Sequence, residues 1–256
     1  KLVTKQVRSV IDFEMSSQQA FIVIAILLGT YVIFSAGELY NDYFDADFFT
    51  RIQSHLESFS FTNFGPTYVQ DSLLVISMIL FGNYKIISFV SSVALLVVTY
   101  LLTKQITKKR FPGIISMGIV LISGIFLHYD ASVAYPNFWI LFYLVSLYVV
   151  LRAGMLSPIS HVIGILSKPL VVSFLPMSLF FIYRSAIAKK EKIKIAISYG
   201  VIAVIAILGL FVLKNYSTEY DLTELNAHDF WGGFTAFNSS FQHDVFILIF
   251  LLPVTV

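Results

Sequence analysis

Residues 20–37 read AFIVIAILLGTYVIFSAG, and residues 38–51 continue ELYNDYFDADFFTR. The first stretch is eighteen residues without a charge, about the length an α-helix needs to cross the hydrocarbon core of a bilayer. The second sets Glu38, Asp42, Asp45 and Asp47 among aromatic residues directly after that apolar run. It continues through Gln53-Ser54-His55 and Asn63-Phe64-Gly65-Pro66-Thr67-Tyr68 to Asp71. An aqueous carboxylate cluster held against a membrane face can do acid–base work on a substrate that lives in that membrane.

The composition agrees with the apolar run. Of 256 residues, 57% are hydrophobic and 12% charged, and the mean hydropathy is +0.83. Soluble domains average about 45–50% apolar and about 25% charged residues. The fold class expected is an all-α integral membrane protein, one transmembrane domain over residues 1–256. Membrane barrel strands alternate apolar and polar residues, whereas these runs are apolar on both parities. The absence of cysteine excludes disulfides, thiolate chemistry and cysteine zinc sites. No glycine-rich nucleotide-phosphate loop is present, and the basic loops suit anionic lipid headgroups rather than nucleic acid.

Taken in order, residues 1–19 form a polar tail with Lys1, Lys5 and Arg8. A basic tail before an apolar run is also the pattern of a secretory signal. The length of the run and the spans that follow favour an uncleaved first helix. Residues 38–85 form a first loop, in which Ser72–Phe81 is apolar but too short to cross and is expected to lie at the interface. Further spans are expected at Ile86–Leu102, Pro112–Leu127 and Asn137–Leu151, and at a pair broken at Lys168-Pro169. Ile195–Leu213 follows, then a polar loop over 214–244 and a last apolar run from Val245. This makes seven or eight spans, and the final run suggests that the natural chain continues.

Charge sets the expected orientation. With the N-terminus inside and each span crossing once, the inner set holds Lys1, Lys5, Arg8, Lys104, Lys108, Lys109, Arg110, Arg152, Arg184, Lys189, Lys190, Lys192 and Lys194. Only Arg51, Lys85, Lys168 and Lys214 remain outside. Lys and Arg in short loops mark the cytoplasmic side, so a multi-pass cell-membrane protein with a cytoplasmic N-terminus is expected. The acidic loop then faces outward, as do the sequons at Asn215 and Asn238.

This layout resembles the C-type superfamily of membrane glycosyltransferases that use polyprenyl-phosphate-linked sugars. Asp45-Ala46-Asp47-Phe48-Phe49 and Gly65-Pro66-Thr67-Tyr68 are similar to that family's acidic motif and aromatic patch in the first external loop. Asn83-Tyr84-Lys85 through Lys104, Pro112-Gly113-Ile114-Ile115, Phe138 through Arg152, and Ile163 through Pro169 are similar to later segments in the same order. Many relatives carry a second acid just before the fourth span, where this chain has Tyr135-Pro136-Asn137 and an earlier Asp130.

The resemblance implies transfer of a sugar from a polyprenyl-phosphate donor to an acceptor on the outer face. Asp45 is then the candidate base, with Asp47 second, because a carboxylate within hydrogen-bond reach can take the acceptor's proton. Glu38 and Asp42 are expected to be solvated or to cap a helix. Arg51, Lys85, Lys168 and Tyr68 are the candidates for holding the phosphate and sugar. Some relatives need a divalent cation such as Mg or Mn, for which Asp45 with Asp47 or Asp130 is the candidate pair. The repeated His228-Asp229 and His243-Asp244 pairs are a weaker metal candidate. The partners implied are the lipid-linked sugar and membrane lipids. The alternative reading is a catalytically silent relative acting as a structural subunit of a membrane protein complex. A transporter is disfavoured, since no inverted repeat is visible.

Overall fold

A computed structural model describes residues 13–40, 67–133 and 136–214, with backbone alone at 206–207 and 209–214. The described residues are helical and contain no strand. They belong to two compact units, Lys1–Val171 and Val172–Val256.

In the first unit, α1 (Ser17–Ser35) begins at a capping box. Gln19 N donates to Ser16 Oγ at 3.2 Å, and Ser16 N donates to Gln19 Oε1 at 3.1 Å. Two of the four orphan N–H groups at the helix start are thereby satisfied. The helix is apolar on all sides, and only Ala20, Tyr31 and Ser35 are buried. Phe21, Ile33 and Phe34 remain more than 70% exposed, as suits a helix whose outer face meets lipid. A 3₁₀ turn, Ala36–Tyr40, continues its end.

Helix α2 (Tyr68–Phe81) is fourteen residues long. At 1.5 Å per residue it spans about 21 Å, short of the ~30 Å hydrocarbon core. Its Leu74 and Val75 pack with Phe138 in a buried cluster, while Ile79, Leu80 and Phe81 stay exposed. Gly82 closes it with φ +67°, a left-handed conformation that glycine adopts without steric cost.

Helices α3 (Lys85–Thr107) and α4 (Arg110–Leu121) form an antiparallel hairpin turned at Lys108 and Lys109. Pro112 stands in the first turn of α4, where a missing N–H costs least. A Cβ on Gly113 would stand 2.8 Å from Tyr100 Cδ2 and 2.9 Å from the Tyr100 carbonyl oxygen. Small residues permit such close backbone approach between membrane helices. The apolar run expected as one span over Pro112–Leu127 is divided. Ser123 caps a new short helix, α5 (Gly124–Tyr129), by accepting from Phe126 N at 3.0 Å.

Among the described residues, three apolar stretches have the length and composition to cross a membrane: Ser17–Tyr40, Lys85–Thr107 and Phe138–Ser167. They support a membrane-associated protein. The third stretch folds back on itself. Helix α6 (Phe138–Ala153) reverses through the 3₁₀ turn Gly154–Leu156 into α7 (Ser157–Ser167). Ser157 Oγ donates to Ser146 O at 2.8 Å and Ser160 Oγ to Phe142 O at 2.9 Å. Pairs whose numbers rise on one helix as they fall on the other define an antiparallel hairpin. Buried His161 packs edge-on to Tyr143, with ring centroids 6.1 Å apart.

The sequence break at Lys168-Pro169 is present. Lys168 is extended at the end of α7, and the 3₁₀ turn Pro169–Phe174 follows. In the second unit, α8 (Leu175–Arg184) packs with α9 (Lys189–Lys214). Lys192 Nζ donates to Tyr183 O at 2.7 Å across that connection. The loop 214–244, beyond Lys214, and the run from Val245, with their sequons and His-Asp pairs, lie outside the described residues.

The glycine contacts separate two substitutions of the same size. Gly113→Ala drives a methyl into a backbone carbonyl and costs about 1–3 kcal/mol. Gly164→Ala meets nothing closer than 3.4 Å and is tolerated. Thermal unfolding of the two variants in detergent is expected to lower the midpoint for Gly113→Ala alone.

Candidate functional site: a polar cluster at one end of the bundle

The end of α1 is tied to the start of α3 by one asparagine. Asn83 Nδ2 donates to Leu39 O at 2.9 Å, and Asn83 Oδ1 accepts from Lys85 N at 2.8 Å. Ser77 Oγ donates to Asn83 O at 2.6 Å and accepts from Ile87 N at 3.1 Å. Lys85 Nζ donates to Glu38 O at 3.0 Å. The α2–α3 turn and the tail of the first helix are therefore one hydrogen-bonded unit.

Beneath it stands Asp130, the residue after α5. It is fully buried. Its carbonyl oxygen is held by Ser92 Oγ at 2.7 Å, and Ser92 Oγ in turn accepts from Asn137 Nδ2 at 3.0 Å. The Asp130 carboxyl faces the Tyr31 hydroxyl and the Glu38 carboxyl, and Tyr31 also has Ser35 and Ser92 beside it. Lys85 and His128 bear on Glu38. Tyr31 is held in place by stacking on Phe89 and by Phe126, each with a ring centroid 5.7 Å away. Glu38 is exposed at the rim, and Asp130 is enclosed behind it.

The expected site residues divide as follows. Asp45, Asp47, Arg51 and Asp42 lie outside the described residues. Tyr68 opens α2 and is half-buried, and its carbonyl accepts from Ser72 Oγ at 2.7 Å. Lys85 is at the Glu38 rim. Lys168 places Nζ 5.4 Å from the Trp139 ring centroid, a cation–π contact at the start of α6. Glu38, Lys85, Asp130, Trp139 and Lys168 all belong to the same end of the bundle, because α1 and α7 end there and α3 and α6 begin there. Arg110, which donates to Glu14 at 2.8 Å and to Met15 O at 3.1 Å, marks the other end.

Sequence reasoning passed over Tyr31 and placed Glu38 in solvent or at a cap. A signal existed: Tyr31, Ser35 and Glu38 are spaced i, i+4, i+7, which puts them on one helical face. Asp130 was considered as a metal partner of Asp45 and as an early counterpart of the second acid, but not beside Tyr31 or Glu38. Among the described residues no group of three or more His, Cys, Asp or Glu side chains gathers, and Asp45 lies outside them.

Comparison of the chain with family models, with curated proteins and with solved structures finds no match.

The Asn83 network yields a stability prediction. Asn83→Ala strands the Leu39 carbonyl and the Lys85 N–H, and costs about 1–3 kcal/mol. Detergent-solubilised protein is expected to unfold at a lower temperature, with a helix content unchanged before the transition.

Proposed function

We propose that the chain is a membrane glycosyltransferase, moving a sugar from a polyprenyl-phosphate donor to an acceptor on the outer face. The observation that carries this reading is the convergence of acids and bases at one end of the bundle. Glu38 and Asp130 meet from different segments, Lys85 stands beside Glu38, and Lys168 belongs to the same end. The acidic segment with Asp45 and Asp47 continues directly from the Ala36–Tyr40 turn that carries Glu38.

In this reaction Asp45, or Asp47 in its place, takes the proton of the acceptor hydroxyl or amide. The acceptor atom bonds to the anomeric carbon of the sugar, and the bond from that carbon to the phosphate oxygen breaks. The leaving polyprenyl phosphate carries the negative charge away, and Arg51, Lys85 and Lys168 are the cations to offset it. Tyr68 and the neighbouring aromatics offer faces for the sugar ring.

A second reading rests on one feature. Asp130 is sealed from solvent, so it serves packing as readily as chemistry, and this favours a silent structural subunit of a membrane complex. Radiolabelled polyprenyl-phosphate sugar supplied to membranes containing the chain separates the two. The transferase reading expects transfer that falls about 100-fold or more in the Asp45→Asn, Asp47→Asn double variant. Full transfer by that variant refutes the assigned base. Absence of transfer together with co-purification of a stoichiometric partner establishes the subunit reading instead.

A further inference from the structure

We propose that the α8–α9 connection and the exposed face of α9 form a docking site for a membrane lipid with an anionic headgroup. The site belongs to the second unit and does not depend on the transferase reading.

Residues 184–194 hold five cations, Arg184, Lys189, Lys190, Lys192 and Lys194, and one acid, Glu191. Two of the cations are engaged locally. Lys192 Nζ donates to Tyr183 O at 2.7 Å, and Lys194 Nζ stands 3.1 Å from Glu191 Oε1. Lys189 and Lys190 are exposed, and among the described residues neither pairs with an acid. The connection therefore carries a surplus of positive charge.

Cations in the first unit are used differently. Lys104 lies over the Tyr100 ring at 5.7 Å from its centroid, Arg152 lies over the Tyr148 ring at 5.5 Å, and Arg110 is 2.8 Å from Glu14. Those charges meet aromatic faces or a carboxylate of the chain itself. Lys189 and Lys190 leave theirs for an anion from outside.

The helix selects the kind of anion. Lys190 and Lys194 stand at the start of the face that carries Ile193, Ile197, Val201 and Val204, at the three- and four-residue spacing of one helical side. Each of those four apolar residues is more than half exposed, whereas Ile195 and Tyr199, on the opposite side, are 0% exposed. From Ile193 to Val204 the helix rises about 17 Å, close to the depth of one leaflet of a ~30 Å hydrocarbon core. A ligand that matches this face has negative charge at one end and an apolar body of about that length, which describes an anionic phospholipid. An acidic peptide or a nucleic acid would meet the lysines and leave the apolar stripe uncovered. Basic residues beside a membrane helix attract anionic headgroups, and lysine stems can lie along apolar surface while the ammonium reaches the phosphate.

The test uses the full chain in a neutral detergent, titrated with phosphatidylglycerol or with phosphatidylcholine, with bound lipid counted by native mass spectrometry. The expected result is saturable binding of phosphatidylglycerol, about tenfold or more tighter than phosphatidylcholine. The Lys189→Gln, Lys190→Gln double variant should lose about tenfold in affinity for phosphatidylglycerol, and Lys190→Gln alone about threefold. The single variant keeps the test decisive if the double variant does not insert. Lys104→Gln with Arg152→Gln removes the same amount of charge and should leave the preference intact. Equal affinity of the wild type for the two lipids would overturn the proposal. So would a preference that survives in the Lys189, Lys190 variant, or one that falls equally in the Lys104, Arg152 variant, which would be a general charge effect. Displacement of phosphatidylglycerol by inorganic phosphate, but not by chloride at equal ionic strength, would assign the lysines to a soluble anion and overturn it as well.

Discussion

A polar group removed from water has to be answered from within the protein, and the hydrogen bonds among the described residues reflect that constraint. The serines and threonines show it most plainly. Ser91, Thr99, Ser146 and Ser167 each turn the hydroxyl back to a carbonyl of their own helix, at 2.6–2.9 Å. Ser92, Ser157 and Ser160 instead donate to carbonyls on neighbouring elements. The first group leaves the helices self-sufficient. The second group decides which helices meet.

The constraint explains why α1 is anchored where it is. Most of its surface is apolar and exposed, so packing specifies little about its rotation. The face carrying Tyr31 and Ser35 is buried, and the turn that follows is captured by Asn83 and Lys85. A few polar contacts at its end therefore orient a helix that lipid would accept in any rotation. The same contacts bring the rim acid Glu38 to the enclosed Asp130.

The α3–α4 hairpin works by steric fit. Gly113 lets the Tyr100 backbone approach closely enough that a methyl group would not fit between them. The α6–α7 hairpin works by hydrogen bonds, with serine hydroxyls laced between the two helices. Apolar surface alone discriminates poorly between partners in a membrane, because lipid is as apolar as a leucine face. Shape and hydrogen bonding supply the discrimination.

Much of the helical organisation was legible residue by residue. The charge-free run after Ser16 and Gln19, the short segment ending at Gly82, and the break at Lys168-Pro169 are local signals, because helix starts and stops depend on neighbouring residues. The division of Pro112–Leu127 at Ser123 was hidden, since a serine inside an apolar run reads equally as a back-bonded helix residue. The reversal at Gly154–Leu156 falls where the span ending at Leu151 was expected to give way to the next, whereas the serine hydroxyls laced between its two arms only the packing reveals. The meeting of Tyr31, Glu38 and Asp130 was likewise invisible along the chain, although the helical spacing of Tyr31, Ser35 and Glu38 marked one half of it. Hydropathy and charge are properties of a segment and survive reading in one dimension. Which enclosed carboxylate faces which hydroxyl is a property of how segments pack, and that was decided in the tertiary structure.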